Sequence, residues 1–311
     1  MKLSLIVPCY NEAENITLFQ NAVIETFRDA GYDYEIVFID DGSTDATLRN
    51  LRTAFKEQRC PLKVVSFSRN FGKDAGIYAG LKHAEGDYVC VIDADLQQHP
   101  EVVREMVSIL DDQPQYDMVA AYQDRRNEGK FLSFFKKTFY KIINKLSSIN
   151  LKSDASDFRT FRKSVADSIL SLGEYHRFSK GIFAWVGYET YFIPYTAHKR
   201  VAGTTKWSLP KLVNYAVDGI IGYSTTPLRI STFLGTMTGV AALIYLVIVI
   251  LQKLIYGIDI PGYATIIVLI LFLGSMQLFC IGIIGEYVGR TFEQSKNRPI
   301  YITKEILDYK D

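Results

Sequence analysis

Short continuous apolar runs alternate with amphipathic stretches through the first part of the chain. Leu3 to Val7, Tyr34 to Ile39, Leu62 to Ser68, Tyr88 to Ile92 and Met118 to Ala121 are the length of buried strands and rich in β-favouring residues. Between them the spacing predicts helices over about Ala13 to Ala30, from the turn at Asp40–Asp45 to about Arg59, over Lys73 to Ala84, and from Pro100 to Leu110. Pro8 closes the first strand, Asn11 is placed to cap the first helix, and Pro100 suits a first helical position. Continuous rather than alternating apolar strands, separated by helices, imply a mostly parallel sheet covered on both faces. The expected class is therefore α/β, of the nucleotide-binding kind.

The pattern changes at Gly129. Phe131, Phe134, Phe135, Phe139, Ile142, Ile143 and Leu146 recur at helical spacing among Lys130, Lys136, Lys137, Lys141 and Lys145. A basic, Phe-rich amphipathic helix over about 130–147 reads as lying at a membrane surface, with an ordinary surface helix as the alternative. A second amphipathic stretch, Leu209 to Tyr223, precedes Pro227 and two nearly uninterrupted apolar segments, about 230–251 and 263–285. Each is long enough to cross ~30 Å of hydrocarbon. Lys199, Arg200, Lys206, Lys211 and Arg229 before them, and Arg290, Lys296 and Arg298 after, outnumber the lone Lys253 between them. By the positive-inside rule the pair is a hairpin with both termini cytoplasmic. A buried pair of core helices is the competing reading. The expected organisation is a cytoplasmic catalytic domain over 1–208, a juxtamembrane helix over 209–229, the hairpin over 230–289 and a cytoplasmic tail over 290–311. Glu286 belongs at the membrane interface or in a pair within a helix bundle. Gly274, Ser275, Gly282, Gly285 and Gly289 would permit the close helix packing of a homo-oligomer.

Composition sharpens this only in places. The chain has 311 residues and a formal charge of +1, and it carries no nucleic-acid-binding motif, so no nucleic acid partner is expected. Four scattered cysteines, Cys9, Cys60, Cys90 and Cys280, lack Cys-x-x-Cys or zinc spacing and read as reduced thiols. The start, Met1 to Pro8, is interrupted too soon for a signal peptide.

The candidate chemistry centres on Asp93-Ala-Asp95-Leu-Gln97, which follows the Tyr88 strand. Carboxylates at the C-terminal end of such a strand face the crevice where α/β sheets bind ligands. Asp93 and Asp95, with the Gln97 amide, suit Mg2+ or Mn2+, which take hard oxygen ligands and bridge substrate phosphates. The plainer alternative is that the two carboxylates only cap the helix at Pro100. Tyr10, Glu12 and Asp41 lie where base and ribose contacts are expected. No P-loop and no Gly-x-Gly-x-x-Gly run is present, which argues against ATPase and dinucleotide chemistry. Arg200 and Lys206 flank Gly203 in a loop able to close over a diphosphate. The four histidines have no ligand or triad spacing.

Val7-Pro-Cys-Tyr-Asn-Glu12, Ile39-Asp-Asp-Gly-Ser-Thr-Asp45, Asp93-Ala-Asp-Leu-Gln97, Ser156-Asp-Phe-Arg159 and Arg200…Gly203…Lys206, in that order, resemble family 2 inverting glycosyltransferases. More closely they resemble the polyprenyl-phosphate glycosyltransferases, the group of bactoprenol glucosyl transferases and dolichyl-phosphate mannose synthase. The resemblance covers the whole chain and implies a GT-A type nucleotide-sugar-binding domain, followed by interfacial helices and a transmembrane hairpin. It also implies that Pro8, Tyr10, Glu12, Ile39 and Asp41 line the nucleotide, and that Asp93, Ala94 and Asp95 contact the sugar nucleotide and metal with Gln97 as a further ligand. Arg200 and Lys206 would bind the diphosphate. Asp157 matches a position needed for catalysis, as base or as orienting group, and Arg126 falls near one that binds acceptor phosphate. The implied partners are a nucleotide sugar, a polyprenyl (undecaprenyl) phosphate and the membrane. Two departures stand out: Gln98 and His99 replace the Asp-Pro common after the metal carboxylates, and only His176-Arg-Phe178 stands where processive synthases carry Gln-x-x-Arg-Trp. A single transfer is expected. A processive polysaccharide synthase, a non-catalytic nucleotide-binding scaffold and a lipid flippase are the competing classes.

Overall fold

Every apolar run expected as a strand forms one, and all join a single eight-stranded sheet. The structure, a computed structural model, describes residues 2–123, 144–147, 149, 152, 155–196, 217–256 and 262–310. In chain order the elements begin β1 (Lys2–Cys9), α1 (Ile16–Phe27), β2 (Asp33–Asp40), α2 (Thr47–Glu57), β3 (Leu62–Phe67), α3 (Lys73–His83), β4 (Tyr88–Val91), α4 (Pro100–Asp112) and β5 (Met118–Gln123). They continue with β6 (Ala155–Arg162), α5 (Lys163–Ser171), α6 (Ser179–Trp185), β7 (Thr190–Tyr195), α7 (Thr226–Tyr256), α8 (Tyr263–Ser295) and β8 (Thr303–Asp308). The strand order is β7-β5-β6-β4-β1-β2-β3-β8.

Residues of one strand feed two cores, as period-two geometry requires. Leu3, Leu5 and Phe38 pack with Phe19, Val103 and Met106 on one face, whereas Ile6 and Val89 pack with Ile77, Leu81 and Phe161 on the other. That is why these strands are apolar throughout: β1, β2, β3 and β4 pair in parallel and are covered on both sides. The chain runs β1 to β2 to β3 in one direction, then returns to place β4 on the other flank of β1. The reversal point between β1 and β4 is where sheets of this kind open a ligand crevice.

Strand β6 is antiparallel to both neighbours, with Val91 opposite Arg159 and Cys90 opposite Thr160 across β4. It was not among the expected strands. Running against the rest, it brings its own beginning to the end of β4. Extending that register by two residues sets Asp157 beside Asp93.

Of the segment 290–311, expected as a tail, residues 290–310 are described and are structured. Helix α8 continues to Ser295, and β8 then pairs antiparallel with β3, Lys63 opposite Asp308 and Val65 opposite Ile306. Tyr301 stacks on Phe67 with ring centroids 4.7 Å apart. The physical reason is the open edge of β3, whose unpaired backbone groups are satisfied by a returning strand.

Helices α7 and α8 carry apolar windows of mean hydropathy 2.4 and 2.6, none of which is buried within the protein. Leu243, Leu254 and Leu278 are 63, 76 and 72% exposed. The reading as a pair of core helices fails on that observation, because a core helix hides such side chains. Beyond the apolar stretch, Arg290 Nε lies 3.1 Å from Glu286 Oε1, and Arg290 also meets Asp218 at 2.6 Å. Glu286 thus pairs one turn along its own helix. Of the amphipathic helix expected over about 130–147 only 144–147, and of the juxtamembrane helix expected over 209–229 only 217–229, fall among the described residues, and 217–223 is helical.

Candidate active site

Three loops meet at the C-terminal ends of β1, β2 and β4 because those ends are in register: Cys9 pairs with Asp40, and Ile92 N donates to Ile6 O at 3.0 Å. Tyr10 is 37% exposed at the rim. Asn11 does not cap α1. It sits at φ 54°, donates its N–H to Ser43 Oγ (3.0 Å), and accepts at Oδ1 from Thr44 N (2.9 Å). The first helix starts later, at Ile16, because Asn11 is spent on stapling the β1 loop to the β2 loop. Glu12 continues the staple: its N–H donates to Thr47 Oγ1 at 2.9 Å, and its carboxylate accepts from Asn15 Nδ2 at 2.6 Å.

Asp41 is 4% exposed and accepts two backbone N–H groups, Phe71 N at 2.6 Å and Gly72 N at 2.9 Å. Burial raises its pKa, and the two donors only partly offset that rise. Asp41 therefore holds the 71–72 backbone to the crevice floor. Ile39 departs from its expected role. It is fully buried in a cluster with Val65, Ala75 and Ala79 under α3, so its side chain supports the crevice instead of lining it. Ala94, 3% exposed, has only backbone to offer. Pro8 is half-buried, packed where α3 crosses at Gly76.

Gly42 makes the loop arrangement possible. It has φ +63°, and a Cβ there would lie 2.3 Å from the Arg69 carbonyl carbon. Gly42→Ala is expected to cost more than about 2 kcal/mol, combining left-handed strain with a backbone clash. Thermal melting in detergent checks this, and a wild-type melting temperature would contradict it.

The carboxylates follow. Asp93 N donates to Gln98 Oε1 (2.9 Å), and Gln98 Nε2 donates to Asp93 Oδ2 (3.0 Å), so one residue clamps both ends of Asp93. Asp93 Oδ1 lies 2.6 Å from Lys73 Nζ, and the same ammonium lies 3.4 Å from Asp157 Oδ2. Asp95, 9% exposed, accepts from Gln97 N at 3.1 Å. The turn carrying them holds Leu96 at φ 57°, a conformation a branched apolar residue adopts only when its surroundings impose it. Burial works to raise the pKa of Asp157, but Lys73, Lys180 and Arg159 outweigh it and hold the group below the usual carboxylate range. The Lys73 side chain is 43% exposed, so its partial burial opposes the charge only in part, and Asp93 and Asp157 overcome it and raise the pKa.

Asp93 and Asp157 are thus brought to one place, with Asp95 two residues on in the same turn, together with two residues that sequence reasoning missed, Lys73 and Gln98. A signal for Lys73 existed: it opens α3, where the helix dipole disfavours a cation. Gln98 was noticed only as a departure from a pattern. Arg126, Arg200 and Lys206 lie outside the described residues.

A cavity of about 670 Å3 is lined by Arg69 to Gly72 with Asp74 and Ala75, the chain neighbours of Lys73, by the 174–178 loop, by residues within 218–223 and by α8. Arg69, Arg177 and Arg290 stand around it with Tyr223 and Tyr287. Gln294 ties α8 to the domain, accepting from Tyr175 N (2.8 Å) and donating to Gly173 O (2.9 Å).

Residues 4–170, more than half of the chain, match the Glycosyl transferase family 2 model. The chain belongs to glycosyl transferase family 2. Residues 226–291, which cover α7 and most of α8, match a second model, the GtrB C-terminal hairpin. A prophage bactoprenol glucosyl transferase homolog of Escherichia coli (strain K12) is 41% identical, over 98% of this chain and 99% of that one. The putative glycosyltransferase CsbB of Bacillus subtilis (strain 168) is 39% identical, over 97% of this chain and 91% of its own. Among solved structures, mannosyl-3-phosphoglycerate synthase from Rubrobacter xylanophilus is similar in fold, with a TM-score of 0.50 at 15% identity, over 70% of this chain and 71% of that one. The family 2 domain here has the GT-A architecture, and its hairpin follows in the same chain.

Within this glycosyltransferase, the β4 turn offers two carboxylates, Asp93 and Asp95, while among the described residues Gln97 enters the hydrogen bonding through its backbone N–H alone. Among the described residues no cluster of three or more His, Cys, Asp or Glu side chains is set to cage a metal. A short hard-oxygen set suits Mg2+ or Mn2+, which commonly take one or two carboxylates and complete their shell with substrate phosphates and water. The residues present fit such a metal.

Proposed function

We propose that this protein moves one sugar from a nucleotide sugar, a UDP-hexose such as UDP-glucose or UDP-GlcNAc, to a polyprenyl phosphate of the undecaprenyl type. The product would be a lipid-linked monosaccharide used as a donor in cell-envelope glycosylation. The observation that supports this reading is the meeting of Asp93 and Asp157 on Lys73, whose chain neighbours Gly72 and Asp74 line a cavity that α8 of the apolar hairpin helps to wall. The near full-length relative whose name includes bactoprenol glucosyl transferase supports the acceptor and the sugar. The catalytic domain and both termini are assigned to the cytoplasmic side on the cation flanks of the hairpin.

In this reading, Tyr10 and Glu12 contact the nucleotide, and Asp93, Asp95 and Gln97 hold Mg2+ or Mn2+. When bound, the metal supplies charge stabilisation for the leaving diphosphate. Arg200 and Lys206 serve the same diphosphate. A phosphate oxygen of the acceptor forms the new bond to sugar C1 from the face opposite the nucleotide. The C1–O bond to the diphosphate breaks, its electron pair leaves with the nucleoside diphosphate, and the anomeric centre inverts. The acceptor is already an anion at neutral pH and needs little base catalysis. Asp157, held ionised by Lys73, Lys180 and Arg159, is a weak proton acceptor, which favours an orienting role. Arg69 and Arg177 offer the cavity cations that could meet an anionic headgroup, whereas Arg290 is paired with Asp218 and Glu286, and Asp74 and Glu174 also line the cavity.

The deciding assay offers labelled nucleotide sugars, one at a time, to purified protein with undecaprenyl phosphate and Mn2+ or Mg2+. Label is expected in the lipid phase from one donor, as a single sugar, and EDTA is expected to abolish it. Transfer unaffected by EDTA would remove the metal from the reading. No transfer from any donor by folded protein would leave a nucleotide-binding scaffold, and chains of several sugars would indicate a processive synthase.

A further inference from the structure

Lys73 stands at the first position of α3, where its charge opposes the helix dipole, so helix formation does not explain it. Its placement is nevertheless built. Asp41 clamps Phe71 N and Gly72 N, Gly72 takes φ +97°, and the next residue delivers its ammonium to Asp93 Oδ1 at 2.6 Å and Asp157 Oδ2 at 3.4 Å. Gln98 meanwhile holds the other Asp93 oxygen, leaving Oδ1 for the ammonium. The register of β4 and β6 sets two carboxylates side by side, which would repel each other without a cation between them.

We propose that Lys73 is a positioning residue of the transfer site, whose ammonium ties Asp157 to Asp93 and competes for Asp93 with the divalent metal that this carboxylate would help to hold. This deepens, and rests on, the transferase reading above. Two consequences have opposite signs. The ammonium keeps Asp157 in the orientation that meets the acceptor, so its loss slows transfer. It also competes electrostatically with a metal for Asp93, so its loss tightens metal binding. A lysine that only stabilised α3 would do neither, since loosening the fold weakens binding and turnover together.

The experiment compares wild-type protein with Lys73→Met and Lys73→Gln, which remove the charge, and with Lys73→Arg, which keeps it. Binding of Mn2+ alone is followed by electron paramagnetic resonance, and transfer from the nucleotide sugar to undecaprenyl phosphate gives kcat and KM. The uncharged variants are expected to bind Mn2+ about tenfold more tightly, the lower end of the roughly 10- to 100-fold range over which neighbours tune metal ligands. Their kcat is expected to fall about a hundredfold while KM for the nucleotide sugar stays within about threefold, as for an interaction made in the transition state. Lys73→Arg is expected to recover most of kcat. Either uncharged variant, once folded, decides the matter. Unchanged or weaker Mn2+ binding, or a kcat within about threefold of wild type, would overturn the assignment. Should wild-type protein transfer no sugar, the transferase reading fails by itself, and the Mn2+ titration still reports on the contact between Lys73 and Asp93. Absence of Mn2+ binding in every form overturns the inference directly.

Discussion

Asp95→Asn is expected to lower sugar transfer by about a thousandfold or more, with the melting temperature close to that of the wild type. The size follows from the role: loss of a charged ligand removes the metal's stabilisation of the leaving diphosphate, and electrostatic contributions of that kind carry several kcal/mol of a transfer barrier. The fold should survive because the substitution is nearly isosteric. Asp95 uses Oδ1 to accept from Gln97 N at 3.1 Å, and the asparagine oxygen can accept the same bond. The β4 turn therefore keeps its shape, including Leu96 in its left-handed conformation. Label transfer to undecaprenyl phosphate, Mn2+ binding and a thermal melt, all on one preparation, check the result. Normal turnover would remove Asp95 from the metal set. Lost turnover together with a collapsed melting temperature would mean that Asp95 serves the fold instead.

The second large effect concerns the other end of the chain. Deleting residues 303–311 is expected to destabilise the catalytic domain by more than about 4 kcal/mol and to promote aggregation, because it uncovers a strand edge and strips partners from buried charges. Glu35 is fully buried; it accepts from Ser4 Oγ (2.5 Å) and Glu85 N (2.8 Å), and also meets Lys2 Nζ (3.0 Å) and Tyr309 OH (3.2 Å). Lys63, with its side chain 4% exposed, meets Glu85 at 2.6 Å and Asp308 at 3.2 Å. Truncation takes away Asp308, Tyr309 and Lys310 together and reopens β3 along its length. A buried charge left short of partners costs far more than a surface pair.

Acid sensitivity gives the same experiment a second readout. Glu85 is held down to about 2 by Lys310 first and then by Lys63. A carboxyl lowered in the folded state contributes stability above its ordinary pKa, and loses that contribution as pH falls toward the folded value. Without Lys310 the folded value moves back toward the ordinary one, so the loss still begins near the ordinary carboxyl pKa but is smaller and complete at higher pH. Size-exclusion chromatography and thermal melts across an acid series, on the full chain and on residues 1–302, would show it. A monodisperse truncated protein that melts like the full chain would refute the stapling role of β8.

Much of this was legible in the residues, and the gaps have physical causes. The five strands from β1 to β5 follow from continuous apolar runs, since a strand buried on both faces can carry little else. The pair Asp93 and Asp95 follows from its place at a strand end, because parallel strands deliver such residues to a shared crevice. Strand β8 was read as a tail because Thr303 to Asp308 is mostly polar, and its pairing depends on an edge presented by Leu62–Phe67 far away in sequence. Asn11 was read as a helix cap on local chemistry, whereas its actual partners, Ser43 and Thr44, come from another loop. Ile39 was assigned to the crevice by likeness of motif, and the crossing of α3 over β2 buried it.

By itself, then, the sequence determined the α/β class, the apolar hairpin, and the carboxylates at the end of the β4 strand. These depend on periodicity, length and residue type, which are local properties. Only the tertiary structure decided that Asp157 stands beside Asp93, that Lys73 joins them, and that the end of the chain closes the sheet. Each of those depends on the register of strands distant in sequence, and no local pattern encodes which edge a returning strand will find.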